Sequence, residues 1–275
     1  MLALVYLAHV AVIVFGAVTL VWFISLLMKD ASIIDIFWGF GFTLVGLVCL
    51  YLVSSRFSVS PSAYLWLMAL MPILWGLRLT IYLAKRNLGH GEDGRYVAMR
   101  KRSGLAEMTW RLRALLTIFW GQGLLILIVS APVWIATANG KSVEIGILAI
   151  VGGIMWLAGT LFEAIGDAQL AAFIKRNADY DGPYEDKPVL DTGLWAWTRH
   201  PNYFGNALLW WGIFVAACQA PWGWVSFFGP LIMTILLVRV SGRDLLERKL
   251  KKRPAYQAYV ERTSSFIPRP PKKVA

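Results

Sequence analysis

Between residues 193 and 206 the chain reads Gly193-Leu194-Trp195-Ala196-Trp197-Thr198-Arg199-His200-Pro201-Asn202-Tyr203-Phe204-Gly205-Asn206. Its last eight residues hold a guanidinium, an imidazole, a phenol and two carboxamides. An arginine fork matches the geometry of phosphate. Asparagine offers donor and acceptor together, as a carboxamide such as nicotinamide requires of its partner. Pro201 suits the first turn of a helix. Such a helix sets Asn202 and Asn206 one turn apart, with Trp210 a further turn on, where its indole could support a flat ring. The plainer alternative is a structural turn before an apolar helix.

Two carboxylates precede this segment. Glu163 and Asp167 share a helical face in Phe162-Glu163-Ala164-Ile165-Gly166-Asp167-Ala168-Gln169, at the end of an apolar run. Acids there are costly unless they bind something. They suit the hydroxyls of a ribose or the amides of a cofactor, with Lys175 as a further candidate contact. Alternatively they pair with Lys175, Arg176 or loop arginines. Beyond the last apolar run, Arg239, Arg243 and Glu247 recur every four residues. They form either a polar stripe facing a ligand or a basic helix on lipid headgroups. Tyr256, Tyr259 and Arg262 then precede Phe266-Ile267-Pro268, a tail able to fold back as a lid.

Nearer the N-terminus, Asp35 opens an apolar run. It is a candidate proton or hydrogen-bond donor, or else a first-turn acid favoured by the helix dipole. Arg78 and Tyr82 stand one turn apart. Arg78 faces a cavity or snorkels to the headgroups, and Tyr82 is a second candidate proton donor. Segment 85–113 carries eight basic and three acidic residues with four glycines. It reads as a flexible loop on anionic lipid or as a phosphate-contacting lid.

The elements that position these groups follow from composition. Of 275 residues 58% are hydrophobic and 16% charged, with 14 Trp, 14 Phe and 10 Tyr. Mean hydropathy is +0.59. A soluble domain of this size has too little interior for that much apolar surface. A cytosolic enzyme, a disordered chain and a disulfide-stapled module are thereby excluded. Cys49 and Cys218 both sit in apolar runs, so no disulfide framework is indicated. A membrane-spanning helix needs about 20 apolar residues. Seven runs approach this, at about 2–28, 33–53, 62–84, 114–138, 143–166, 203–219 and 222–240. The expectation is an all-α, seven-helix polytopic membrane protein, with residues 1–275 forming a single integral membrane domain. The first run lacks the basic start and cleavage site of a signal peptide.

Charge orients the bundle. With seven spans, all but four of the 27 Lys and Arg fall on one face; the exceptions are Arg56, Arg78, Lys141 and Arg239. The positive-inside rule makes that face cytoplasmic, with the C-terminus inside and the N-terminus outside. The net charge of +11 is therefore read as membrane-surface charge, with no nucleic-acid partner. A transporter would string ionisable groups through several spans. Here they gather at the cytoplasmic end, as suits an enzyme at the membrane face.

No metal set is evident, since the histidines stand apart at 9, 90 and 200. There is no Walker loop, GxGxxG unit or nucleophile elbow. Any nucleotide must bind in a site built from helix ends and loops. Taken together, Glu163-x3-Asp167-x-Gln169, Arg199-His200-Pro201-Asn202-Tyr203-x-Gly205-Asn206, Trp210, the Arg239–Glu247 stripe and Phe266-Ile267-Pro268 resemble the steroid 5-alpha-reductase-like membrane enzymes, and more narrowly their bacterial DUF1295 branch. The resemblance covers about 160–268 well and the first three spans weakly. It implies a seven-helix bundle in a bacterial inner membrane whose cytoplasmic half encloses NADPH. It also implies that Asp167, Asn202, Arg239 and Arg243 contact the cofactor, with Trp210 lining the same cavity. The chain departs from the steroid enzymes in several places. Asp35 stands for the acid of their span-two Gln-Glu pair, and Trp75 for their span-three tyrosine. Asn206 stands where many relatives carry Glu, and Glu247 where the steroid enzymes carry Tyr.

These readings converge on an NADPH-dependent reductase of the C=C bond of a lipid-soluble enone, admitted laterally from the bilayer. A membrane methyltransferase of the isoprenylcysteine or phospholipid type, using S-adenosylmethionine, is the alternative; those enzymes share Arg-His-Pro-x-Tyr and a basic tail. A non-enzymatic lipid-binding scaffold is the third possibility.

Overall fold

The computed structural model describes residues 2–57, 60–240, 247, 250–251 and 253–272. Every regular element among the described residues is helical, as long apolar runs require when no water is present to satisfy backbone groups. In chain order the helices are α1 (Leu2–Met28), α2 (Ile33–Phe57), α3 (Ala63–Asn87) and α4 (Gly94–Ser103). Then come α5 (Glu107–Val129), α6 (Ala131–Asn139), α7 (Ile147–Arg176), α8 (Pro201–Ala217), α9 (Gly223–Arg239) and α10 (Pro254–Arg262).

Five of them, α1, α2, α3, α5 and α7, are long and apolar enough to cross a bilayer. They mark the chain as a multi-pass membrane protein. Their positions follow the first five expected runs with two displacements. The fourth ends at Val129 instead of 138, because Ser130 leaves helical geometry and Pro132 cannot donate to a continuing ladder. The fifth continues to Arg176, so Glu163, Asp167, Gln169 and Lys175 all ride on one unbroken helix. The sixth and seventh runs are helical as α8 and α9. At 17 residues α8 is about 25 Å long, shorter than the five.

Contacts divide the chain into two compact units. The first comprises Met1–Ile150 with Phe214–Gly229. In it α1 buries Tyr6, Val10, Val14, Val18 and Trp22, one residue per turn. The most extensive helix pair is α2 with α3. They meet backbone to backbone: a Cβ on Gly39 would come 2.6 Å from the Gly76 carbonyl oxygen, the close approach that small residues permit. Helix α6, buried from Ala131 to Ala138, packs on α1, α2 and α3. The Tyr64 hydroxyl donates to the Ala216 carbonyl at 3.1 Å.

The second unit comprises Val151–Ile213 with Pro230–Ala275. Along α7, Ile154, Leu157, Leu161 and Ile165 are each about half exposed, a stripe that lipid solvates and water would not. A second stripe, Trp156, Thr160, Glu163 and Asp167, runs along another face of the same helix at the helical repeat. The α7–α8 pair is as tight as α2–α3. A Cβ on Gly205 would lie 2.5 Å from the Glu163 nitrogen and 2.6 Å from the Gly159 oxygen. Trp211 Nε1 donates to Thr234 Oγ1 of α9 at 3.1 Å.

Candidate functional site

Close packing of α7 on α8 sets the register of their polar residues. Asn202 Nδ2 donates to Asp167 Oδ1 at 3.1 Å, and Asn206 Nδ2 to Glu163 Oε1 at 3.4 Å. Each pair is one turn from the next on both helices, so carboxylates and amides form two rungs. Glu163, Asp167 and Asn206 are 3%, 4% and 7% exposed. Buried charge and amide at the end of an apolar helix are tolerated because they satisfy one another. The satisfaction is incomplete. Asn206 Oδ1, Thr160 Oγ1 and Trp156 Nε1 are buried atoms with no hydrogen-bond partner among the described residues. Such atoms cost about 1–3 kcal/mol each until a ligand or water meets them. Trp210, one turn beyond Asn206, is completely buried.

Helix α7 borders a cleft near its C-terminal end. A hollow of about 260 Å³ is lined by Gln169, Phe173, Arg176 and the loop from Val189 to Gly193. Gln169 Oε1 accepts from the Leu194 nitrogen at 3.0 Å, and Trp195 Nε1 donates to the Gly166 carbonyl at 3.1 Å. Gly193 takes a φ of +62°, which glycine adopts freely, and so lets the loop turn onto α7. Lys175 is exposed on the last turn of α7.

Arg199, His200 and Glu247 form a buried clamp in the same unit. Arg199 Nε and Nη2 donate to the two Glu247 oxygens at 2.8 and 3.3 Å. Its Nη1 donates to the carbonyls of Thr263 and Val260 at 2.6 and 3.2 Å. His200 Nε2 lies 3.1 Å from Glu247 Oε1, and Lys251 Nζ 3.1 Å from Oε2. The fork that the sequence aimed at phosphate thus holds the C-terminal tail. Burial alone would push the Glu247 carboxyl up. Hydrogen bonds from His200 and Arg199, then Arg199's charge and the Lys251 contact, hold it well below the usual carboxylate range. Tyr203 stacks on His200, ring centroids 5.3 Å apart and planes parallel within 2°.

The tail is tied down along its length. Tyr259 donates to the Trp195 carbonyl at 2.5 Å, and Arg262 pairs with Asp191. The Thr198 hydroxyl donates to the Phe266 carbonyl at 2.8 Å. The expected lid is therefore a docked strap over residues 188–200. Arg239, at the end of α9, is exposed. Arg243 lies outside the described residues.

The first unit holds the other candidates. Asp35 Oδ2 accepts from Arg95 Nη2 at 2.6 Å, and Oδ1 from the Tyr96 hydroxyl at 2.7 Å. Asp35 was read as a proton or hydrogen-bond donor or as a first-turn acid; its two described side-chain bonds are ones it accepts. Burial, then the Asp35 charge, raises the Tyr96 phenol. Asp93 caps α4 by accepting from the Arg95 nitrogen. Although burial pushes its carboxyl up, hydrogen bonds and charge from Arg95 bring it below its ordinary value. Tyr82 is half-buried with the Arg86 guanidinium 5.7 Å from its ring centroid, and Arg78 is half-buried one turn before it. Trp75 is fully buried against Phe42. Replacing Tyr96 with Phe should lower stability by about 1.5 kcal/mol, the scale for one hydrogen bond to a charged group. Thermal unfolding in detergent measures it, and an unchanged midpoint would deny that this bond holds α4.

Sequence reasoning missed four of these participants. Arg95 and Tyr96 were hidden in a glycine-rich loop, although Asp93 before Gly94 is a helix-cap signal. Thr160 and Trp156 were legible from their helical spacing, three and seven residues before Glu163.

A family model described as a protein of unknown function, DUF1295, matches residues 21–263. An uncharacterized protein of Schizosaccharomyces pombe is 24% identical over 267 residues, covering 90% of this chain and 75% of its own. No solved structure matches the chain.

Proposed function

The chain belongs to the DUF1295 family, and from that premise and the α7–α8 rungs we propose that it is a membrane-embedded, NADPH-dependent reductase of a lipid-soluble enone, related to the steroid 5-alpha-reductase-like enzymes. The carrying observation is the buried amide of Asn206, whose Nδ2 reaches Glu163 while its Oδ1 meets no donor. A carboxamide ligand offers the missing N–H. Trp156 Nε1 and the Thr160 hydroxyl are further unmet polar atoms on the same unit. Asp167, fixed by Asn202, suits a ribose hydroxyl. Arg239, Arg243 and Lys175 supply cations for phosphates, and the Gln169–Arg176 cleft is of a size for part of a nucleotide. Arg199, His200, Tyr203 and Glu247 act in this reading by holding the tail and the start of α8 in place.

When bound, NADPH supplies the hydride, which goes to the carbon β to the carbonyl while the α carbon takes a proton. Asp35 and Tyr82 were the donor candidates; Tyr82 is kept in that role, because both Asp35 oxygens already accept, from Arg95 and Tyr96. In the full reading α8 and α9 complete a seven-span bundle in a bacterial inner membrane. The N-terminus lies outside, and the basic segments and C-terminus are cytoplasmic.

Purified protein in detergent, excited at tryptophan, tests the cofactor. NADPH should give energy transfer and raise the unfolding midpoint, by about 4 kcal/mol of stability at a thousandfold excess over Kd. Asn206→Leu should weaken binding tenfold or more, beyond the loss of apo stability expected from taking this donor away from the buried Glu163. If S-adenosylmethionine alone protects, the methyltransferase reading replaces this one. If neither ligand binds, no nucleotide site exists here.

A further inference from the structure

We infer that segment 85–113 is a docking surface for anionic phospholipid headgroups of the surrounding bilayer. Three of its eight basic residues are paired with carboxylates. Arg95 pairs with Asp35 and Asp93, Arg100 with Glu92, and Arg111 with Glu107. The other five, Lys85, Arg86, Lys101, Arg102 and Arg113, are exposed and make no ion pair among the described residues. All three acids of the segment are thus engaged, and a net positive surface is left outward.

That surface is held rigidly. Glu92 Oε1 accepts from the Ala31 nitrogen at 3.0 Å and from Arg100 Nη2 at 2.8 Å. The Asp93 nitrogen donates to Ser32 Oγ at 3.3 Å. With the Asp35–Tyr96 bond, these staple α4 onto the start of α2, itself a membrane-crossing helix. Lys101 and Arg102 occupy the last turn of α4, where the helix dipole favours cations.

Apolar side chains lie among the cations. Leu88, Met99, Met108 and Leu112 are 54%, 43%, 64% and 53% exposed. Exposed methionine and leucine between lysine and arginine match the boundary where headgroups meet acyl chains. A soluble phosphate compound would satisfy the cations and leave this apolar surface in water. Charge complementarity and the adjacent apolar groups therefore commit the surface to a lipid. This inference stands independently of the reductase reading.

The test uses the full chain, delipidated in a neutral detergent, with phosphatidylglycerol or phosphatidylcholine added. Phosphatidylglycerol should raise the unfolding midpoint at lower concentration than phosphatidylcholine. Lys101→Gln with Arg102→Gln should lower that preference about 25-fold, near fivefold per cation removed. The midpoint in phosphatidylcholine should stay unchanged, which separates lost recognition from misfolding. Lys101→Glu with Arg102→Glu should weaken the preference further, and Lys187→Glu should leave it intact. The inference falls if parent and double variant prefer phosphatidylglycerol equally, or if the parent has no preference. It also falls if soluble glycerol phosphate gives the same rise, because a free phosphate site would then explain it.

Discussion

Glu247→Ala should cost about 3–5 kcal/mol of stability and release the C-terminal strap. The carboxylate is buried and receives Arg199 in a two-pronged contact, with His200 and Lys251 alongside. Deleting it leaves a buried guanidinium with no counter-charge, still bonded to the Val260 and Thr263 carbonyls. Removing one partner of a buried ion pair typically costs that much, because the other charge stays desolvated. Thermal unfolding reports the loss, and limited proteolysis should cut within 250–272 in the variant before the parent. Since Glu247's carboxyl is depressed in the fold, its contribution is fully present above the unfolded value, about 4.3. It fades as pH falls below that value toward the folded one. The parent should therefore lose midpoint between about pH 5 and 2 more steeply than Glu247→Gln does. Equal acid sensitivity, together with an uncut tail, would refute the clamp.

Gly205→Ala is the second large effect. The new methyl would sit 2.5 Å from the Glu163 nitrogen and 2.6 Å from the Gly159 oxygen, both main-chain atoms that cannot swing aside. Helices α7 and α8 must separate, at a cost of about 1–3 kcal/mol or more. The Asn206–Glu163 bond, already 3.4 Å, should break first. NADPH binding, in the proposed reading, should fall further than stability alone predicts. Gly121→Ala is the comparison, because nothing lies within 4 Å of its added carbon. Alanine there should be neutral or stabilising by up to about 1 kcal/mol, since it restricts the unfolded chain. If the two substitutions have equal midpoints, close packing does not set the α7–α8 register.

Several features of the site were readable because they are local. The four-residue spacing of Glu163 with Asp167, and of Asn202 with Asn206, places each pair on one helical face whatever surrounds the helix. That the two faces meet in register, 163 with 206 and 167 with 202, depends on glycine contacts between residues more than forty apart. The arginine beside His200 shows the converse. Its chemistry, a buried fork for an oxyanion, was legible at once. Whether that oxyanion is a phosphate or Glu247 was not, since nothing within a turn of Arg199 distinguishes them. Segment 85–113 looked like a loop because its glycines mask α4, which is held by acids at 35 and 92 and by the Asp93 cap.

By itself the sequence determined an all-helical, multi-pass membrane protein and the positions of its five long apolar helices. It also singled out candidate residues by type and spacing. Hydropathy, helical repeat and residue type are properties of short windows, and a bilayer leaves helices as the economical answer. Only the tertiary structure decided how those residues pair: Asn206 with Glu163, Asp35 with Arg95 and Tyr96, and Arg199 with Glu247. Those choices are made by backbone approach and by competition among buried charges for partners distant in the chain, neither of which a local pattern encodes.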